Sequence, residues 1–363
     1  MIKKLTLLLF FISNITFAQI PAGYYNTATG TGYTLKTQLY NIIKNNTNSS
    51  SNSSYNDLWT LYTTSAFRDY YYENNGTLLD IYSEKPSGPD SYEYSSTSQQ
   101  CGNYSGEGSC YNREHIVPQS VFNSNYPMYS DAHFVLPSDG YVNGKRSNYP
   151  FGKVNAASWT STNGSKLGSN LNSGYSAGYI GTVFEPIDEF KGDVARAILY
   201  FATRYQDVVS GFSFDMFDGS STKVFTETFK SILLTWNTLD PVSAYEIAKN
   251  NQIYYSFQGN RNPFIDHPEW VGVIWGNPLA IDENQNISFK IYPNPSSEFI
   301  IIENSNNLTI EKYEIYSAFG RKVISDNYYE GEKIAVDNLA NGIYFITIFT
   351  NTSNSTEKII INH

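Results

Sequence analysis

The spacing of apolar residues changes character near residue 280, and that change sets the architecture. Ahead of it, apolar side chains return every three or four positions in several stretches. YTLKTQLYNII within 19–43 and YNDLWTLYTTSAF within 56–70 have this helical spacing. It recurs in DEFKGDVARAILYFATRY at 188–205, where Asp188 can cap and Val194, Ile198, Phe201 and Tyr205 share a face. Further helices fit 221–235 and 240–257. KNNTNSSSNSS at 44–54 reads as a polar loop. The span 75–175, rich in Gly, Ser, Asn and Tyr, reads as loops with short strands. From Ile287 onward the runs FIIIE, YEIYSAFGRKV, GIYFITIFT and EKIIIN alternate with turn residues, the pattern of a small sandwich. The expected fold is therefore α+β: a helix-rich unit over 19–280, a linker at 281–287 and an all-β sandwich over 288–363.

The chain opens with two lysines followed by an apolar run, and Thr16-Phe17-Ala18 precedes Gln19. Residues 1–18 thus read as a secretory signal peptide, too short and wrongly flanked for a membrane span. No later stretch is apolar enough to cross a bilayer, so stable membrane insertion is not expected. In an exported chain the two cysteines, Cys101 and Cys110, suggest a disulfide around the short loop GNYSGEGS. By loop entropy such a bridge contributes ~2–3 kcal/mol. A metal pair is the alternative, but suitable partner residues are lacking nearby.

Only 16 % of the 363 residues are charged, and the net charge is −10. A broad basic face gripping nucleic acid is thereby excluded, although a small positive cleft is compatible with an acidic protein. The densest set of reactive side chains follows Cys110, in YNREHIVPQSVF at 111–122 and YSDAHFVLPSDGYVNGKRSNYPFG at 129–152. Two of the four histidines, His115 and His133, lie here, with Glu114, Asn143 and Arg146. Phosphodiester hydrolysis needs a base, a cation and positive charge for the transition state. Histidine suits the first, a carboxylate with an Asn amide suits a hard divalent cation, and Arg suits the phosphate. By residue type alone such a set is more often structural than catalytic.

The motifs are more specific than the composition. NREHIVP, DAHFVLPSDGYVNGKRSNYPFG, VFEPIDEFKGDVARAILYFATRY and QGNRNPFIDHPEWV occur in an order that closely resembles the bacterial endonuclease I family of secreted and periplasmic nucleases. The resemblance covers most of 25–275. It implies a ββα-metal core and non-specific cleavage of DNA, often also of RNA, to 5′-phosphate products. Carried over by motif position, His115 is the general base, Glu114 and Asn143 are ligands of a divalent metal (Mg²⁺ first, Ca²⁺ or Mn²⁺ otherwise), and Arg146 contacts phosphate. Gln258 and Arg261 border the site. The family shows two consecutive His where this chain has His133-Phe134, so His133 reads as a packed, hydrogen-bonded residue. Lys191, Arg196 and Arg204 read as salt-bridge partners of Asp188, Glu189 and Asp193 rather than as cleft cations. Adjacent residues of a regular strand face opposite ways, so Glu114 and His115 can serve one site only if the strand ends or bulges there.

The segments KIYPNPSSEFIII, YEIYSAFGRKV, LANGIYFITI and EKIIINH resemble the type A sorting domain of the type IX secretion system. That implies the outer-membrane export machinery as a partner and a secreted or surface-attached product. The competing reading is an extracellular binding or adhesive protein with an inactive nuclease-like domain, against which the intact Glu114, His115, Asn143 and Arg146 speak. A zinc hydrolase is disfavoured, since H-E-x-x-H does not occur.

Overall fold

The computed structural model describes residues 20–44, 54–276, 289–303, 309–317, 322–350 and 354–363. The expected signal peptide at 1–18, nearly all of the expected polar loop at 44–54 and the expected linker at 281–287 lie outside the described residues. Two compact units emerge, one ending at Gly276 and one running to His363.

The first unit contains helices α1 (Gly32–Ile43) and α2 (Asp57–Leu61), strands β1 (Tyr111–His115) and β2 (Val135–Asp139), and helix α3 (Gly140–Arg146). Strands β3 (Val154–Thr160), β4 (Lys166–Asn170) and β5 (Thr182–Glu185) follow. Helices α4 (Lys191–Arg204), α5 (Glu227–Leu239), α6 (Ala244–Ser256), α7 (Pro263–Asp266) and α8 (Glu269–Trp275) complete it. Several boundaries differ from the sequence expectation. The helix expected over 56–70 stops at Leu61, because the Thr63 and Thr64 hydroxyls donate to the carbonyls of Thr60 and Leu61 and close turns instead. The helix expected from 221 begins at Glu227, since Phe217 and Phe225 form a bridge and Val224 takes a positive φ of 68°. Helix α3 lies inside the span read as loops. Its seven residues hold two glycines and no apolar repeat, and it starts because the Asp139 carboxylate accepts the Val142 N–H at 2.7 Å.

Helix α4 sits at the centre. All fourteen of its residues are buried, not one face alone. Three of its charged groups are ion-paired, Lys191 with Glu185 and Asp188, Asp193 with Lys249, and Arg196 with Glu246 through two 2.7 Å hydrogen bonds, whereas Arg204 forms no ion pair among the described residues. Salt bridging was the expected role, but Glu185 and Glu246 were not the expected partners. Asp188 pairs with Lys191 from a preceding 3₁₀ turn and does not cap the helix, whose N-cap is Phe190.

Strands β1 and β2 pair antiparallel with Tyr111 opposite Asp139 and His115 opposite Val135, and α3 packs across both. This is a strand–strand–helix unit. Strands β3, β4 and β5 form a separate antiparallel sheet. Cys101 and Cys110 form the expected disulfide, with 5.8 Å between their Cα atoms, directly ahead of β1.

The second unit is all β: strands β6 (Lys290–Tyr292), β7 (Phe299–Glu303), β8 (Ile310–Ser317), β9 (Lys322–Asn327), β10 (Ile334–Ala335), β11 (Gly342–Thr350) and β12 (Asn354–Ile361). A three-stranded sheet, β10-β7-β6, and a four-stranded sheet, β12-β11-β8-β9, share one aliphatic core that includes Ile300, Ile315, Ile346 and Ile359. In β11 alternate residues Tyr344, Ile346 and Ile348 point into it, the period of a half-buried strand.

Buried Lys36 of α1 gives the first unit a pH signature. Its ammonium donates to Gln206 Oε1 and the Ser221 carbonyl, and burial pulls its pKa down to about 7. Between about pH 7 and 10 the folded side chain is neutral while the unfolded one still holds its proton. The unfolded state then binds more protons, so this contribution to stability rises with pH. Urea titrations at pH 7 and pH 10 should show wild type gaining stability relative to Lys36→Met across that interval.

Candidate active site

A cleft of about 470 Å³ opens along β1 and α3, and it contains Glu114, His115, Asn143 and Arg146 together. Two other clefts of comparable volume, about 530 and 550 Å³, hold no histidine and no such donor set. The strand condition is met by termination. His115 is the last residue of β1, and the β1–β2 sheet has only two strands. Asn112 and Glu114 share the face towards α3, whereas Arg113 and His115 share the other, and both sets border the cleft.

His115 is 5 % exposed and lies parallel to the Tyr129 ring at 5.4 Å, with Tyr55 stacked at 5.6 Å. Its Nε2 lies 3.1 Å from the Tyr129 carbonyl. A carbonyl only accepts, so Nε2 carries the proton and Nδ1 keeps the lone pair. Burial lowers its pKa to about 4, with Arg113 and Arg146 adding to the effect. The imidazole is therefore neutral at neutral pH, the state a base requires.

Glu114 is 2 % exposed. Its Oε1 accepts the Tyr82 hydroxyl at 2.8 Å and meets Arg146 Nη1 at 3.2 Å. Burial raises its pKa, and Arg146 and Tyr82 act against that rise. Asn143 donates from Nδ2 to Asn112 Oδ1 at 2.8 Å, which fixes the amide. Among the described residues Glu114 Oε2 and Asn143 Oδ1 meet no donor. A carboxylate oxygen and an amide oxygen in one cleft are the donor types a hard divalent cation takes.

Arg146, expected as the phosphate contact, lines the cleft from a buried position. It is 1 % exposed, and its terminal nitrogens donate to the carbonyls of His115, at 2.8 Å, and Ile116. With Glu114 as third partner, it ties α3 to the end of β1. The arginine that reaches the cleft with partial exposure is Arg113, whose guanidinium lies 3.4 Å from the Tyr55 ring centroid and 4.2 Å from that of Trp59. Arg113 stands inside the NREH motif, so the sequence held a signal for it. Tyr82, from a tyrosine-rich segment 32 residues upstream of Glu114, gave none.

Gln258 and Arg261 do not border the cleft. Gln258 donates to Asp131 at 2.7 Å, and Arg261 pairs with Asp266. His133 is packed as expected, with Nε2 3.0 Å from the Asn260 carbonyl.

Residues 31–269 match the family model described as Endonuclease I. The chain belongs to the endonuclease I family. Residues 290–362 match a secretion system C-terminal sorting domain. An extracellular ribonuclease of Bacillus amyloliquefaciens is 32 % identical over 259 residues, and one of Bacillus subtilis (strain 168) is 33 % identical over 257. In each case 69 % of this chain and 78 % of the relative are covered. This endonuclease I family member is thus a nuclease with a type IX sorting domain, secreted or held at the cell surface. Among the described residues no helix is long and apolar enough to cross a membrane.

Removing Arg146 would leave Glu114 as an unpaired buried charge and strip two buried carbonyls of their donor. Arg146→Met should lower unfolding free energy by about 3–5 kcal/mol, read from denaturant midpoints. Arg146→Lys should recover only part of this loss, because an ammonium lacks the planar fork.

Proposed function

We propose that the chain is a metal-dependent endonuclease of low sequence preference that hydrolyses phosphodiesters of DNA and also of RNA, leaving 5′-phosphate ends. The observation that carries this reading is the cleft itself. Adjacent residues at the end of β1 present a neutral, proton-accepting imidazole and a carboxylate beside the Asn143 amide. The name of the relatives, extracellular ribonuclease, supports RNA as a substrate beside DNA.

In this mechanism His115 Nδ1 takes a proton from water, and the water oxygen attacks phosphorus. The bond from phosphorus to the 3′ oxygen breaks, and that oxygen acquires a proton from solvent. Phosphate remains on the 5′ side. The Tyr129 carbonyl holds the imidazole in the required tautomer, and stacking against Tyr55 and Tyr129 limits its rotation. Glu114 Oε2 and Asn143 Oδ1 would hold the cation, with Mg²⁺ the first choice and Ca²⁺ or Mn²⁺ the alternatives; when bound it supplies positive charge to the scissile phosphate. Arg113 is the phosphate contact. Arg146 is a positioning residue that orients Glu114 and the His115 backbone. Residues 1–18 direct export as a signal peptide, and the C-terminal unit engages the type IX machinery.

Plasmid and RNA digestion by the mature chain tests this directly. EDTA should stop cleavage of both. His115→Ala should reduce the rate by about 10²–10⁴-fold while the protein still binds metal. Full activity in that variant would overturn the mechanism, and failure of wild type to cleave with any of the three cations would favour a binding role. Tyr82→Phe removes a donor that steadies Glu114. It should raise the metal concentration for half-maximal activity by about 10-fold or more, with kcat at saturating metal largely kept.

A further inference from the structure

Outside the cleft, three carboxylates converge where the chain has no positive charge to meet them. Asp69, Glu73 and Glu84 each offer an oxygen, and these oxygens lie within 4.8 Å of one another. None of the three enters an ion pair among the described residues. Crowded surface acids are common, but here only Glu73 reaches the surface. Glu84 and Asp69 are each 1 % exposed. Four of their oxygens are out of solvent with no hydrogen-bond partner: both of Glu84, Oδ2 of Asp69 and Oε2 of Glu73. A buried carboxylate with neither oxygen satisfied is costly in any fold.

The backbone holds the cluster in place. Asp69 pairs with Thr77 and Gly76 across a hairpin, and its Oδ1 accepts the N–H groups of Tyr71 and Tyr72, leaving Oδ2 directed elsewhere. Glu84 closes a turn by donating its N–H to the Asp80 carbonyl. Nearby Lys85 does not neutralise the group, since its ammonium donates to Ser91. Burial and the neighbouring Asp90, Glu73 and Asp69 push Glu84 up to about 9, the electrostatic cost of this crowding.

We propose that Asp69, Glu73 and Glu84 form a structural site for a hard divalent cation of Ca²⁺ size, additional to the Glu114–Asn143 pair. The three carboxylate oxygens lie within 4.8 Å of one another, close enough to share one cation. One oxygen from each of the three carboxylates begins a Ca²⁺ shell, and water can complete it. Mg²⁺ usually keeps several waters and takes one or two carboxylates, so a cluster of three suits Ca²⁺ better. The bound cation braces the 80–84 turn, and Tyr82 of that turn holds Glu114. The site thus links extracellular Ca²⁺ to the rigidity of the catalytic cleft without entering the chemistry.

The test reads binding and melting, so its failure is distinct from failure of the proposed function. Metal-free full-length protein is titrated with Ca²⁺ alone by calorimetry and melted with and without millimolar Ca²⁺. At about a hundredfold excess over Kd, wild type should melt about 5–10 °C higher. Glu114→Gln/Asn143→Ala should keep that shift and a Ca²⁺ site, whereas Asp69→Asn/Glu84→Gln should lose both. Should these variants fail to fold, Glu73→Gln must still weaken Ca²⁺ binding. Absence of a Ca²⁺ shift in wild type, or a shift lost in Glu114→Gln/Asn143→Ala but kept in Asp69→Asn/Glu84→Gln, would overturn the proposal.

Discussion

The arrangement of the cleft rests on one buried guanidinium. Arg146 leaves the last turn of α3 and meets the His115 carbonyl, the Ile116 carbonyl and the Glu114 carboxylate. A planar fork can satisfy acceptors in fixed directions, which a lysine cannot. One side chain therefore fixes where β1 ends, how α3 crosses it and which way Glu114 points. The neutral His115 and the donor pair Glu114–Asn143 are consequences of that anchoring. So is the buried position of Arg146, whose terminal nitrogens are taken by protein oxygens.

Much of what surrounds the cleft is polar yet buried, as a chain with 16 % charged residues but many Tyr and Asn would require. Asp131 accepts the hydroxyls of Tyr200 and Tyr205 and the amide of Gln258, and Asn260 donates to Tyr200. Arg196 binds Glu246 across two helices. Such networks are worth having only when every member is satisfied. They explain why DAHF, the helix at 191–204 and QGNRNPF are long, distinctive motifs without bordering the cleft: they build the frame behind it. The Asp69–Glu73–Glu84 cluster stands out against this background because its partners are missing from the protein itself.

Both the division into a mixed unit and an all-β unit and the reactive set after Cys110 were legible in the sequence. A switch from period 3.6 to period 2 is a local property of side-chain order, so it survives without tertiary knowledge. The resemblance carried by NREH and VNGKRSN pointed to Glu114, His115, Asn143 and Arg146, and the fold brings the four into one cleft. The disulfide followed from two cysteines in an exported chain. Helix ends were less legible. Threonine hydroxyls stopped α2, and a bridge between Phe217 and Phe225 delayed α5; both are competitions that periodicity does not register.

What only the tertiary structure decided is the environment of each of these groups. Burial beside the stacked Tyr55 and Tyr129 rings turned His115 from a titrating surface residue into a neutral one with a defined tautomer. Packing of α3 on β1 buried Arg146 and left Arg113 as the arginine within reach of the cleft. Tyr82 reached Glu114 from 32 residues away, and Asp69, Glu73 and Glu84 met through a hairpin and a turn. Desolvation and long-range hydrogen bonding depend on which surfaces meet, and a linear sequence carries residue types and local spacing but not that meeting.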